Sequence, residues 1–190
     1  MTSVDSEKLS RVFVAFPIPS FRSAELKSIQ QQNNFIDHIR WTPPANLHLT
    51  IFFIGEILNE HIDSITQNIS DVITGFSPFE IAFEKISFAG KKPGSRMIWA
   101  QFFKNDFYSG LSSDLYNAVK EFLTVQPVFR DPIPHITLAR LKKEAELNKI
   151  DLSFKEDFSL PEINHCELWK TVHAEESVKY ESLRQFEFQK

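Results

Sequence analysis

Cysteine occurs once in the 190 residues, at Cys166, and glycine only five times. A single thiol excludes an internal disulfide and any zinc site built from several cysteines, and it suits a reducing, cytoplasmic setting. Long apolar runs are missing too. No stretch approaches the roughly 18 residues that a membrane-crossing helix needs, and the first ten residues are polar with no apolar signal-peptide core. The expectation is a protein neither secreted nor held at a membrane. A surplus of basic charge is also absent: 21 Lys and Arg stand against 25 Asp and Glu, a net charge of −4. That balance argues against broad coating of nucleic acid and leaves room for a local phosphate site.

What is abundant is phenylalanine, with 19 residues in a chain that is 42% apolar. Such a composition argues against disorder, collagen or a coiled coil. A chain of this length forms one compact domain and buries roughly 70% of the surface its unfolded form exposes, so it needs no staples.

Alternation predicts a strand over residues 11–16, ended by Pro17 and Pro19. Ser20 is placed to cap a helix reaching about residue 39, the Trp41-Thr42-Pro43-Pro44 turn follows, and 47–54 reads as a strand stopped by Gly55. Ile62, Ile65, Ile69, Val72 and Ile73 mark an amphipathic helix capped by Asn59 and ended at Gly75. Strands are expected at 79–88 and 96–103 around a turn-rich loop, then a helix over 106–123 and a strand within 127–140 after Pro132 and Pro134. A short charged helix at 142–149 and two strands, 163–172 and 178–188, complete an α+β chain with antiparallel sheets and no linker.

Two of these strands carry the same tripeptide. His48-Leu49-Thr50 and His135-Ile136-Thr137 both read His-x-Thr inside an apolar run, 87 residues apart. With six histidines and eight threonines, chance supplies only about 0.25 such tripeptides. Side chains at i and i+2 of a strand share a face, so each imidazole has a hydroxyl beside it while Leu49, Ile51 and Phe53 are expected in a core. Two groups titrating near neutrality suit a reaction that removes one proton and delivers another, and threonine hydroxyls can donate to phosphate oxygens. The plainer alternative, polar residues on an exposed strand face, does not account for the matched pair.

The chain here resembles the two-histidine phosphoesterases, and within them the RNA 2′,3′-cyclic phosphodiesterases, also described as 2′-5′ RNA ligase-like proteins. The likeness runs from Arg11-Val12-Phe13-Val14-Ala15-Phe16 through Trp41-Thr42-Pro43-Pro44-Ala45-Asn46-Leu47-His48-Leu49-Thr50 and Gly55-Glu56. It continues with Phe88-Ala89-Gly90, Ile98-Trp99-Ala100, Pro134-His135-Ile136-Thr137-Leu138-Ala139-Arg140 and Tyr180-Glu181-Ser182-Leu183. The resemblance implies a bilobal, pseudo-two-fold α+β fold: a single domain over 1–190 whose two intertwined lobes each give an antiparallel sheet and one His-x-Thr strand to a central cleft. It also implies metal-independent opening of an RNA terminal 2′,3′-cyclic phosphate to a 2′-phosphate, with no metal or nucleotide cofactor, in a cytoplasmic monomer. The partner would be an RNA 3′ terminus or a nucleotide cyclic phosphate. His48 would be the general acid and His135 the base, labels that two locally equivalent motifs do not themselves supply.

Thr50 and Thr137 would then hold non-bridging oxygens. Phe52 shares His48's strand phase and suits either a stacking surface for a base or ordinary core packing. Arg140 falls out of phase with His135 and Thr137 in a regular strand, so a phosphate contact there requires a bulge or a strand end; a surface salt bridge is the alternative. Arg130 and the Lys91-Lys92-Arg96 loop are candidates for drawing RNA in. Tyr180 matches a family tyrosine, although Val178 and Lys179 stand where a glycine is often found. Trp41 and Trp99 read as structural. His38, expected at a helix end, and His61 lack hydroxyl partners, and His165, Cys166 and His173 have no spacing that closes a metal site. Two other functions remain open: a phosphodiesterase acting on another cyclic phosphate or a 2′-5′ oligonucleotide, and a non-catalytic RNA- or nucleotide-binding module.

Overall fold

A computed structural model describes residues 9–90, 96–125, 132–154, 158–173 and 178–189. Eight antiparallel strands and three helices follow in the order β1 (Leu9–Pro17), α1 (Ser20–Gln32), β2 (Ile39–Trp41), β3 (His48–Leu58), α2 (Ile62–Ile73), β4 (Phe83–Ala89), β5 (Met97–Phe102), α3 (Asp106–Val119), β6 (His135–Leu141), β7 (His165–His173) and β8 (Val178–Glu187). The strands fall into two halves: β4, β5, β6 and β2 make one, and β3, β1, β7 and β8 the other. A single residue pair, Leu49 opposite Ile136, joins them into one hydrogen-bonded sheet. Each half carries one of the His-x-Thr strands, and the junction falls between them.

Apolar periodicity decides which face is buried. Ile65, Ile69 and Ile73 recur every fourth residue and pack α2 into the main core with Leu111 and Leu115 of α3 and the inward residues of β1, β3, β5 and β6. On β1, Val12, Val14 and Phe16 join that core, while Phe13 and Ala15 point the other way into a small cluster with Trp169 and Tyr180. With that second cluster both faces of β1 are covered, and its Phe13 and Tyr180 line a cleft.

Several boundaries differ from expectation. Helix α1 starts after Pro19 rather than after a Ser20 cap and ends at Gln32, seven residues early. It stops where Asn33, fully buried, donates to the carbonyls of Ile29 and Asp151 (both 2.8 Å) and accepts from the Asp151 N–H (2.7 Å). Residues 39–41 are drawn instead into β2, paired with β6. His38 therefore lies in a turn with φ 68°, not at a helix end. Asn59 opens a 3-10 turn and His61 occupies the cap position of α2. Gly55 does not end its strand: at φ 96° it forms a bulge opposite Val12, and β3 runs on to Leu58. The charged segment at 142–149 holds only the 3-10 turn Leu147–Lys149.

Candidate active site

The two His-x-Thr strands share more than three residues. From His48 and from His135, burial follows the same sequence over seven positions, with the histidine and threonine half-buried, the residue between them buried, then two consecutive buried residues and one exposed. The doublets Ile51-Phe52 and Leu138-Ala139 break the alternation because each strand bulges there: Thr50 pairs with Ala15 and Phe52 with Val14, while Thr137 pairs with Trp99 and Ala139 with Ile98. One extra residue reverses the phase of everything beyond it. Phe53 and Arg140, each five residues past its histidine, are thereby turned onto the face that carries the imidazoles.

Polar tethers hold both bulges. The Tyr108 hydroxyl, buried in α3, donates to the Thr50 carbonyl. On the other strand Thr42 donates from Oγ1 to the Thr137 carbonyl and from its N–H to the Leu138 carbonyl, both at 2.8 Å. Burial pushes the Tyr108 phenol well above its ordinary range, so it stays a donor.

The histidines are oriented alike. Nδ1 of His48 lies 2.7 Å from the Asn46 carbonyl and Nδ1 of His135 lies 2.7 Å from the Ile133 carbonyl. A carbonyl only accepts, so Nδ1 carries a proton in each ring and Nε2 is left for chemistry. Their surroundings differ. His48 meets Phe13, Trp169 and Tyr180 at ring separations of 5.1, 5.3 and 5.1 Å, whereas His135 is stacked on Trp99 at 3.7 Å and 20°. Burial lowers the His48 pKa to about 4, against the raising effect of its Asn46 hydrogen bond, and the positive charges of His135 and Arg140 add to the lowering. Burial lowers His135 as well, opposed by its bond to Ile133.

Both histidines and both threonines line one cleft of about 590 Å³, together with Arg11, Arg40 and Arg140 and, among the described residues, with no aspartate or glutamate. None of the ion pairs among the described residues engages those three arginines. A chain of net charge −4 thus keeps a local concentration of positive charge where the imidazoles are, an arrangement that collects an anion.

Of the other residues singled out in the sequence, Arg140 and Tyr180 reach the cleft. Phe52 does not: the bulge turns it inward, 7% exposed and edge-on to Tyr116, and Phe53 takes the cleft position, 47% exposed with the Arg11 guanidinium 5.0 Å over its ring. Arg130, Lys91 and Lys92 lie outside the described residues, and Arg96 is exposed. Trp41 and Trp99, read as structural, also line the cleft, and the half-buried Trp99 is the stacking partner of His135. Cys166 is buried, and burial raises its thiol pKa. His165 turns away, with its ring against Phe16 and Nδ1 2.8 Å from Asn164 Oδ1. Phe53 was expected in the core with Leu49 and Ile51, and the bulge overturns that; Phe13, Arg11, Arg40, Thr42 and Tyr108 escaped the sequence reading. The only signal for the phase change was the doubled apolar pair after each His-x-Thr.

Residues 17–99 match the family described as LigT-like phosphoesterase. The chain is 28% identical over 180 residues to the RNA 2′,3′-cyclic phosphodiesterase of Archaeoglobus fulgidus, covering 93% of this chain and 99% of that protein. It is 25% identical over 185 residues to the protein of that name from Methanocaldococcus jannaschii, covering 93% and 99%. Among solved structures, one from Thermus thermophilus superposes with a TM-score of 0.78 at 24% identity, covering 94% of this chain and 97% of that one. Escherichia coli LigT complexed with 3′-AMP superposes with a TM-score of 0.72 at 18% identity, covering 96% and 99%; these two likenesses speak to the fold. With relatives aligned over nearly its whole length and the fold shared throughout, the chain is similar to the RNA 2′,3′-cyclic phosphodiesterases and, over residues 17–99, to the LigT-like phosphoesterases.

Proposed function

We propose that this protein is a phosphodiesterase that opens the 2′,3′-cyclic phosphate at an RNA 3′ terminus to a 2′-phosphate. The observation that carries the reading is the pair of equivalent imidazoles, each tied through Nδ1 and each lining the same arginine-bearing cleft. The relatives' name adds the substrate class. The two sheet halves are then the two lobes of one domain, each supplying one imidazole and one hydroxyl.

In the proposed reaction a water attacks phosphorus in line with O3′. His135 Nε2 takes the water proton as the new P–O bond forms; the P–O3′ bond breaks and His48 Nε2–H protonates the departing O3′. The product is a 2′-phosphomonoester beside a free 3′-hydroxyl. The cycle closes when His135 returns its proton to solvent and His48 regains one. Thr50, Thr137 and Arg140 hold the non-bridging oxygens as charge grows on them. The bulge that turns Arg140 into the cleft supports this role. The assignment of acid and base is supported by the surroundings: His135, against one ring only, is the more open imidazole and the one that water reaches more readily. His48, caged by three aromatic rings, holds a proton only when an anion offsets the cost of burying it.

The test is incubation of the purified protein, with excess EDTA, with an RNA ending in a 2′,3′-cyclic phosphate, followed by identification of the terminus. A 2′-phosphate is expected, and His48→Ala or His135→Ala should slow turnover by roughly 10²–10⁴-fold. A 3′-phosphate product would reverse the leaving group. Loss in EDTA restored by a divalent ion would move the chemistry to a metal, and wild-type turnover in both variants would end the proposal.

A further inference from the structure

We propose that Arg40, set directly opposite Arg140, forms with it a second anion subsite that takes the phosphodiester on the 5′ side of the terminal nucleotide, so that the enzyme selects oligonucleotide ends over nucleoside cyclic phosphates. The inference rests on the cyclic-phosphate reading above and names what that reading leaves unused. A nucleoside 2′,3′-cyclic phosphate carries one negative charge, and Thr50, Thr137 and Arg140 already converge on it.

Arg40 and Arg140 are register partners across the β2–β6 ladder, with Met97 of β5 completing the row on Arg140's other side. All three line the cleft. Like charges directly opposite on neighbouring strands repel, and among the described residues neither guanidinium has a carboxylate partner. The repulsion is nonetheless built in by the backbone. His38 enters β2 in the left-handed region at φ 68°, its carbonyl accepts the Lys142 N–H at 3.0 Å, and Thr42 closes the other end on the carbonyls of Thr137 and Leu138. A residue in that region persists where surrounding structure over-determines it. Arg40 is thus fixed beside Arg140 from both sides.

The position fits a neighbouring phosphate. Along β6 the bulge puts Arg140 one pleat repeat past Thr137, about 7 Å of strand, and Arg40 lies one strand further out. Arg140 acts electrostatically on His48 and so belongs to the reacting centre, whereas Arg40 stands beyond it. An anion between the two guanidiniums would relieve their repulsion and gain planar, two-pronged hydrogen bonding. In a substrate whose terminal phosphate is held by the His-x-Thr strands, the next anion along the chain is the adjoining phosphodiester. A 5′-phosphoryl group on a single nucleotide shares that chemistry.

The experiment measures kcat and KM for wild type and Arg40→Gln on three substrates: a nucleoside 2′,3′-cyclic phosphate, the same compound bearing a 5′-phosphate, and a dinucleotide ending in the cyclic phosphate. Wild type should favour the dinucleotide about 10- to 100-fold, the value of a charged hydrogen-bonded contact, and chiefly through KM. In Arg40→Gln that preference should fall to about threefold or less and the salt dependence of dinucleotide binding should weaken by about one charge. Arg40 is exposed, so an unchanged far-UV spectrum should accompany the loss. Absence of the preference in wild type, or its survival in Arg40→Gln, overturns the subsite. An equal gain from the 5′-phosphorylated nucleotide overturns the chain reading in favour of a terminal phosphoryl group. No turnover of any substrate by wild type brings down the cyclic-phosphate reading, and the subsite with it.

Discussion

Acidification should unfold this protein partly through one ring. His48 has an ordinary pKa of 6.5 in the unfolded chain and about 4 in the folded one, because the folded site buries it against Phe13, Trp169 and Tyr180 and adds the charges of His135 and Arg140. Below pH 6.5 the unfolded state therefore binds a proton that the folded state refuses, and stability falls with pH until the folded form titrates as well. A displacement of that size, at about 1.4 kcal/mol per pKa unit, costs about 2 kcal/mol by pH 5 and about 3 kcal/mol by pH 4, relative to pH 7. Other groups titrate over the same range, so the measurement is a difference. His48→Asn removes the titration while its amide nitrogen can still reach the Asn46 carbonyl that Nδ1 now serves. Urea unfolding of both proteins at pH 7, 6, 5 and 4 should show wild type losing about 3 kcal/mol more than the variant across the series, most of it between pH 6.5 and 4. Parallel stability curves would refute the argument, since they would mean that the aromatic cage does not penalise the imidazolium.

The same burial should mark the kinetics. The free enzyme holds both imidazoles below their ordinary range, so the kcat/KM maximum should lie below pH 6.5, and the kcat maximum should shift to higher pH because a bound phosphate favours the imidazolium; superposable profiles would contradict this. The bulge on β3 separates two adjacent phenylalanines: Phe52→Ala should destabilise by about 3–5 kcal/mol in denaturant unfolding, whereas Phe53→Ala should leave stability within about 1 kcal/mol and act on KM. Equal stability losses would deny the reversal of phase. Removing the phenol in Tyr108→Phe strips the Thr50 carbonyl of its donor, which should cost about 1–3 kcal/mol and lower kcat more than it raises KM.

Much of this architecture was legible because it rests on periodicity. The fourfold spacing of Ile65, Ile69 and Ile73 announced α2, and alternation announced β1. The paired tripeptides placed each imidazole beside its own threonine, and only the family resemblance implied that the two would share a cleft. Legibility failed wherever a non-local partner decided the outcome. Residues 39–41 carry no strand signal of their own; they are extended because β6 offers an edge there and because Asn33 ends α1 by bonding to Asp151, 118 positions away. Gly55 looks like a terminator in sequence and serves as a bulge, since only the facing Val12 shows that the ladder continues. Phe53 was misplaced in the core for the same reason, and of the two readings of Phe52 only core packing held: a period of two holds only until a residue is inserted. Arg140 was correctly seen to need such an irregularity, and the doubled apolar residues at 138–139 are its trace in the sequence.

The matched bulges give both histidines the same backbone setting, yet the two are proposed to do different work. Equivalent bulges present equivalent positions, but the residues there have diverged: five past His135 stands Arg140 itself, while five past His48 stands Phe53, with a guanidinium supplied from β1 by Arg11 across its face. Each half therefore delivers a cation to the cleft, one directly and one through a ring. The larger divergence lies behind the imidazoles, where three rings enclose His48 and one indole supports His135. An enclosed imidazole resists a proton until a negative charge arrives beside it. In our proposal, the phosphate that is to be opened is the agent that loads His48 with the proton its leaving oxygen will need. The empty cleft would hold no acid, and substrate binding and proton uptake would be a single linked event. On this argument the acid and the base are distinguished by packing rather than by sequence motif, which is why two matching His-x-Thr tripeptides could not reveal which was which.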